Sequence, residues 1–249
     1  MSQRRLSFGA SSKGLVMRKV LLGAATVVGA LSMAASASAA TVLITSGHVV
    51  TANYFVTLGG TVDGHAIHDK AYESPDLLKV SFDGGPVESL LAFCADIFHD
   101  FTSLTPPVTY QTGPLDSNSD SLLSGDGAPL SHIISGEIGY LANLGQVTND
   151  IDRLAGIQGA IWLTEYAGLT ITGGSPWTNY YLGLAAQWGV DHPDFAGYAP
   201  AMFPVDGKSQ GFVLPGVPEP ATWGLMLVGF GGMGAMLRAN RRRAAAVVA

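Results

Sequence analysis

Basic side chains are scarce in the body of this chain. Between Ala40 and Val217 only Lys70, Lys79, Arg153 and Lys208 are cationic, against eighteen acidic residues, a net charge of −14 over that span. So acidic a surface excludes nucleic acid as a partner, because phosphates require a basic face. Cysteine is scarcer still: Cys94 is the only one in 249 residues, which excludes an intrachain disulfide framework. Metal-ligand spacing is absent too. His65 and His68 stand three apart and His99 lies beside Asp96 and Asp100, but neither group matches a zinc spacing, so no metal and no cofactor are expected. No internal repeat is visible.

The long apolar runs lie at the two ends. Arg18 and Lys19 precede "VLLGAATVVGALSMA", which leads into the small-residue stretch "ASASAA". A basic region, a short apolar core and an A-x-A site compose a secretory signal peptide, with cleavage expected after Ala39 or Ala40. The alternative is a membrane anchor, for which the run is short. Residues 1–40 are therefore read as the signal. Met17 is the more natural start, and residues 1–16 an upstream extension or a mis-assigned beginning.

At the other end, "VPEP" is followed by "ATWGLMLVGFGGMGAML" and "RANRRR". The apolar run is about 17 residues, near the lower limit for a bilayer span. The basic residues Arg238, Arg241, Arg242 and Arg243 would hold its far end in the cytoplasm. A plain C-terminal anchor would share these features. The tripartite tail resembles the PEP-CTERM sorting signal of Gram-negative bacteria, carried here by Pro218, Glu219 and Pro220, in the variant with a Trp, here Trp223, after two intervening residues. The resemblance implies an exosortase-type membrane peptidase as processing partner, transient anchoring in the inner membrane, and delivery to the cell surface or the extracellular matrix, commonly in bacteria that make exopolysaccharide.

Without residues 1–40 and 215–249, one extracellular domain remains over 41–214, enough for a single core. Its first half reads as strands. "TVLITSGHVVTANYFVTLGG" and "LLKVSFDGG" are β-branched or alternating segments parted by glycines,. "ESLLAFCADIFHDF" continues the pattern, with Leu91, Phe93, Ala95 and Ile97 on one face and Ala92, Cys94 and Asp96 on the other. Thr105 to Ser131, rich in Pro, Gly, Ser and Asp, reads as a long surface loop. "SHIISGEIGYLANLG" has helical spacing with Gly145 as a C-cap, and "NDIDRLAGIQGAIWLTEYAG" has Asn149 or Asp150 as N-cap and Gly168 as the stop. "WTNYYLGLAAQWG" suggests a short helix and "SQGFVLPG" a closing strand. The expected fold is α+β, a β-sandwich or sheet followed by a small helical subdomain.

Two residues of this domain are out of place. Cys94 is an exported thiol with no partner. Gln158 falls at the centre of an apolar helical stripe made by Ile151, Leu154, Ala155, Ile161 and Trp162, where a buried amide needs partners. A thiolate attacking a glutamine amide expels ammonia and leaves an internal thioester, which would resolve both. A buried structural cysteine and a glutamine bonded to backbone would also do so. The segments "FCADI" (93–97) and "IQGAIW" (157–162), with "GEIGYLANLG" between them, resemble the signatures of the thioester domains of bacterial surface adhesins. That resemblance implies a Cys94–Gln158 thioester, opened by an amine-bearing surface or matrix molecule to leave a covalent amide, and no turnover enzyme.

Two rival readings stand beside this one. A cysteine–histidine hydrolase needs a base within reach of the thiolate, oriented by a third group; Cys94, His132 and Asn143 supply the types. A passive matrix protein needs no chemistry, and "PWTNYY", with Trp177, Tyr180 and Tyr181, offers rings that stack on sugars or pack in a core.

Overall fold

The computed structural model describes residues 39–62, 64–99, 107–115 and 130–216. The signal peptide and the sorting tail with its membrane-spanning helix, both expected from the sequence, lie outside these. Among the described residues no helix is long and apolar enough to cross a membrane.

Nine strands and three helices are described. In chain order they are β1 (Thr41–Val49), β2 (Phe55–Val62), β3 (His65–Tyr72), β4 (Asp76–Phe82), β5 (Glu88–Cys94), β6 (Val108–Pro114), α1 (His132–Gly145), α2 (Ile151–Glu165), β7 (Leu169–Thr172), α3 (Thr178–Asp191), β8 (Pro200–Pro204) and β9 (Phe212–Val213). The α+β expectation holds, but the sandwich does not. Six strands close into a barrel in the order β1-β4-β5-β9-β8-β6, while β3, β2 and β7 form a separate sheet.

Closure depends on a strand that composition concealed. Val108–Pro114 lies inside the stretch expected to be loop, yet it pairs with β1 on one side and β8 on the other. Its Pro and Gly lie at one end, and Tyr110 between them and Val108 is fully buried. Alternate residues from all six strands fill the barrel, among them Val42, Ile44, Leu78, Val80, Ala92, Tyr110, Met202 and Phe212. This is the one-face burial that a strand period of two produces.

A second core joins the three-stranded sheet, the helices and the outer face of β5. Helix α2 is its centre. Asp150 caps it, Oδ1 accepting from the backbone N–H of Asp152 and Arg153 at 3.0 and 3.2 Å, which satisfies donors the first turn leaves unpaired. From Leu154 to Trp162 every residue is buried. The stripe read from sequence is therefore a helix enclosed on nearly all sides, and the stripe's first member, Ile151, is 42% exposed. Gly145 is not a C-cap. It is the last residue of α1, and a Cβ there would come within 2.2 Å of the Phe93 ring; the position is glycine because helix and strand meet there.

Candidate functional site

The site is built where a strand loses its neighbour. β4 pairs with β5 only as far as Asp76 opposite Ala92, so beyond Ala92 that edge of β5 is open. Ala95, the residue after Cys94, gives its N–H to Gly211 O on the β9 side at 3.1 Å. Backbone groups alternate sides along a strand, so those of Cys94 point to the vacated β4 side. Gln158 fills the place. Its Oε1 accepts from the Cys94 N–H at 2.9 Å and its Nε2 donates to the Cys94 carbonyl at 2.8 Å. One side-chain amide thus substitutes for a strand residue, with Gln158 fully buried and Cys94 2% exposed.

The sulfur has its own surroundings. The thiol donates to Asp96 O at 3.0 Å. Gln210, reached through the turn before β9, bonds through Nε2 to Cys94 Sγ and to Asp96 O. The Trp162 indole N–H is buried with no oxygen or nitrogen partner and is directed so as to favour the thiolate. That effect is outweighed: burial, and then the Asp96 carboxylate, push the Cys94 thiol well above its usual range. In this environment Cys94 is a protonated thiol, and its activation requires a base.

Asp96 forms a small network beside it. Oδ1 accepts from the N–H groups of Phe98 and His99 at 2.8 and 3.2 Å, and Oδ2 meets His99 Nδ1 at 2.6 Å. Burial raises its carboxyl to about 6 against these opposing bonds. Tyr166 O–H donates to Ala95 O at 2.7 Å, fixing the strand end against α2.

The arrangement has a chemical reading. Attack of Sγ on Gln158 Cδ would place negative charge on Oε1, and the Cys94 N–H already points at that oxygen. A preoriented backbone donor at a developing oxyanion is the usual device of acyl transfer. Cys94 also borders a cleft of about 540 Å³ lined by, among others, His48, Phe55, Lys70, Tyr72, Asp76, Trp162 and Gln210.

Cys94 and Gln158, far apart in sequence, are brought together. The hydrolase trio is not: His132 Nδ1 bonds to Gly197 O at 3.0 Å and its ring packs on Tyr198, while Asn143 lies beside Gly216. His65 and His68 are exposed on β3, and no group of side chains suited to a metal occurs among the described residues. Trp177, Tyr180 and Tyr181 form a ring cluster with Arg153 over the Trp177 face at 4.5 Å. The sorting residues Pro218, Glu219, Pro220, Trp223, Arg238, Arg241, Arg242 and Arg243 lie outside the described residues. Sequence reasoning missed Gln210 and Asp76. Neither carries a local signal, since one sits in a polar turn and the other opens a strand after "SP", where an aspartate reads as a turn residue.

Comparison with known proteins adds the following. Residues 216–243 match the family model of the PEP-CTERM protein-sorting motif. The motif implies export, passage through the membrane and processing by exosortase. No curated protein matches the chain. Among solved structures, the N-terminal thioester domain of fibronectin-binding protein SfbI from Streptococcus pyogenes is similar at 12% identity and a TM-score of 0.32, over 67% of this chain and 95% of that one. Similarity at that level carries no residue of that domain over to this chain.

Proposed function

We propose that this is an exosortase-sorted surface or matrix protein, with a tail of the PEPxxW type, in which Cys94 and Gln158 close to an internal thioester. An amine-bearing partner opens it and becomes covalently attached. The protein acts once per molecule and is not a turnover enzyme. The observation that carries the reading is the seating of the Gln158 amide on Cys94 itself, oxygen against the N–H and nitrogen against the carbonyl, at a residue that borders a cleft. Closure forms the Sγ–Cδ bond, breaks Cδ–Nε2, and passes the thiol proton to the departing ammonia.

The same two hydrogen bonds favour a second reading. They satisfy the buried amide with no covalent step, as a passive, exopolysaccharide-associated matrix protein would require. Intact mass separates the two. Protein purified in amine-free buffer should weigh one ammonia less than its sequence and resist thiol reagents until denatured. Methylamine should then restore the thiol and modify Gln158, and Cys94→Ala should abolish both effects. Full sequence mass with Cys94 labelled at once would leave the passive reading in place.

A further inference from the structure

Asp76 opens β4 and is 4% exposed, yet its Oδ1 has no hydrogen-bond partner. A buried carboxyl with one oxygen left unpartnered costs stability that the fold must offset elsewhere,, so its position matters. It stands opposite Ala92 of β5. Cys94 is two residues further along the same face, the diagonal cross-strand neighbour, at a typical separation of about 7–8 Å. Its charge acts on the Cys94 thiol, and both residues line the same cleft. At the rim the rings of Phe55 and Tyr72, 56% and 43% exposed, lie 5.0 Å apart.

We propose that this cleft admits an alkylammonium group of the kind a lysine side chain presents, and that Asp76 receives it and takes its proton, so that the freed amine attacks the thioester. The proposal deepens the thioester reading and rests on it. The rim rings suit an aliphatic stem and a cationic head; the buried carboxylate suits the head alone.

The step balances. R–NH3+ gives one proton to the Asp76 carboxylate. The nitrogen then bonds to Gln158 Cδ, the Cδ–Sγ bond breaks, and the sulfur leaves with the electron pair. A second proton is lost from nitrogen as the amide forms, Sγ takes one up to become the thiol, and Asp76 returns the other to solvent. One ammonium and one thioester become one amide, one thiol and one proton.

The groups facing Asp76 leave it free for this. His48 of β1 and Lys70 of β3 line the cleft but are exposed. Burial, then the Asp206 charge and to a lesser degree that of Asp76, push the hydroxyl of Tyr110 on β6 up. Burial alone lifts Asp76 to about 7, a suitable value for a proton acceptor near neutrality.

The test follows methylamine opening of the mature protein, read as free thiol, from about pH 5 to about pH 9. In the wild type the rate should rise about tenfold per pH unit, bend near pH 7 where Asp76 is half ionised, and level above it. Asp76→Asn, nearly isosteric, should still lose one ammonia. Its opening should be slower by about tenfold or more at neutral pH and should climb without levelling, because only amine already free in solution reacts. A wild-type rate that climbs without levelling, or an Asn variant that reproduces the wild-type profile, overturns the role of Asp76 while the thioester stands. Should the variant not fold or not close, the wild-type profile decides alone. A wild type of full sequence mass removes the thioester reading itself.

Discussion

Gln158 bonds both main-chain groups of Cys94 from one edge of the strand, oxygen to N–H at 2.9 Å and nitrogen to carbonyl at 2.8 Å. The thiol points elsewhere, to Asp96 O. Removing either side chain therefore has different consequences, and the difference is measurable.

Gln158→Ala strips partners from a buried N–H and a buried carbonyl together and leaves a cavity, whereas Cys94→Ala keeps both backbone groups and loses one sulfur. Both variants lack any covalent link, so the comparison is even. Gln158→Ala should be the less stable by about 2 kcal/mol in urea unfolding. Equal midpoints would mean that water or a shifted strand replaces the amide.

Stability should fall as pH rises from acid to mildly alkaline. Burial lifts Asp76 to about 7, and burial followed by the Asp96 charge lifts Glu165 well above the usual carboxylate range. Both folded values exceed the unfolded value of about 4. The folded state thus holds these protons more tightly. The resulting stability is complete below the unfolded values and is lost as pH rises through about 7 for Asp76 and through the raised folded value of Glu165,. Thermal midpoints measured at acid and alkaline pH check the sign. Asp76→Asn should flatten the curve through neutrality and gain on the order of 3 kcal/mol at alkaline pH. A midpoint that rises with pH over this window would contradict the argument.

Gly145→Ala should damage the site from behind. The added Cβ would fall 2.2 Å from Phe93 Cζ, and Phe93, the residue before Cys94, is fully buried. The ring or the helix must shift, at about 1–3 kcal/mol. Chemical denaturation should record the loss, and the fraction of protein lacking one ammonia should drop with it. Unchanged stability would show that the ring has room to turn.

The helices were legible because their signals are local. Asp150 precedes an apolar run and caps α2, and the glutamine centred on that run is indeed buried. The pairing of Gln158 with Cys94 was legible only as a shared oddity, an unpartnered thiol and an inward amide. What escaped was long-range. Val108–Pro114 looks like a loop by composition and is a strand because β1 and β8 flank it. Asp76 looks like a turn residue and is a buried carboxylate because β4 starts between β1 and β5. Pro200–Pro204, bounded by prolines, carries no period strong enough to announce a strand, yet the barrel does not close without it.

The barrel's last two strands arrive late. Gln210, which touches the Cys94 sulfur, follows it by 116 residues, and β9 follows at once. A polypeptide emerges from the ribosome N-terminus first. For most of that emergence Cys94 is a bare thiol on a sheet whose β5 and β6 edges are unpaired, the state most open to oxidation and to edge-to-edge association. Order of synthesis thus sets a vulnerable interval that ends only when the final strands seat. A chain cut short before residue 200 would remain in it, with both edges open and the sulfur lacking its glutamine cover from Gln210.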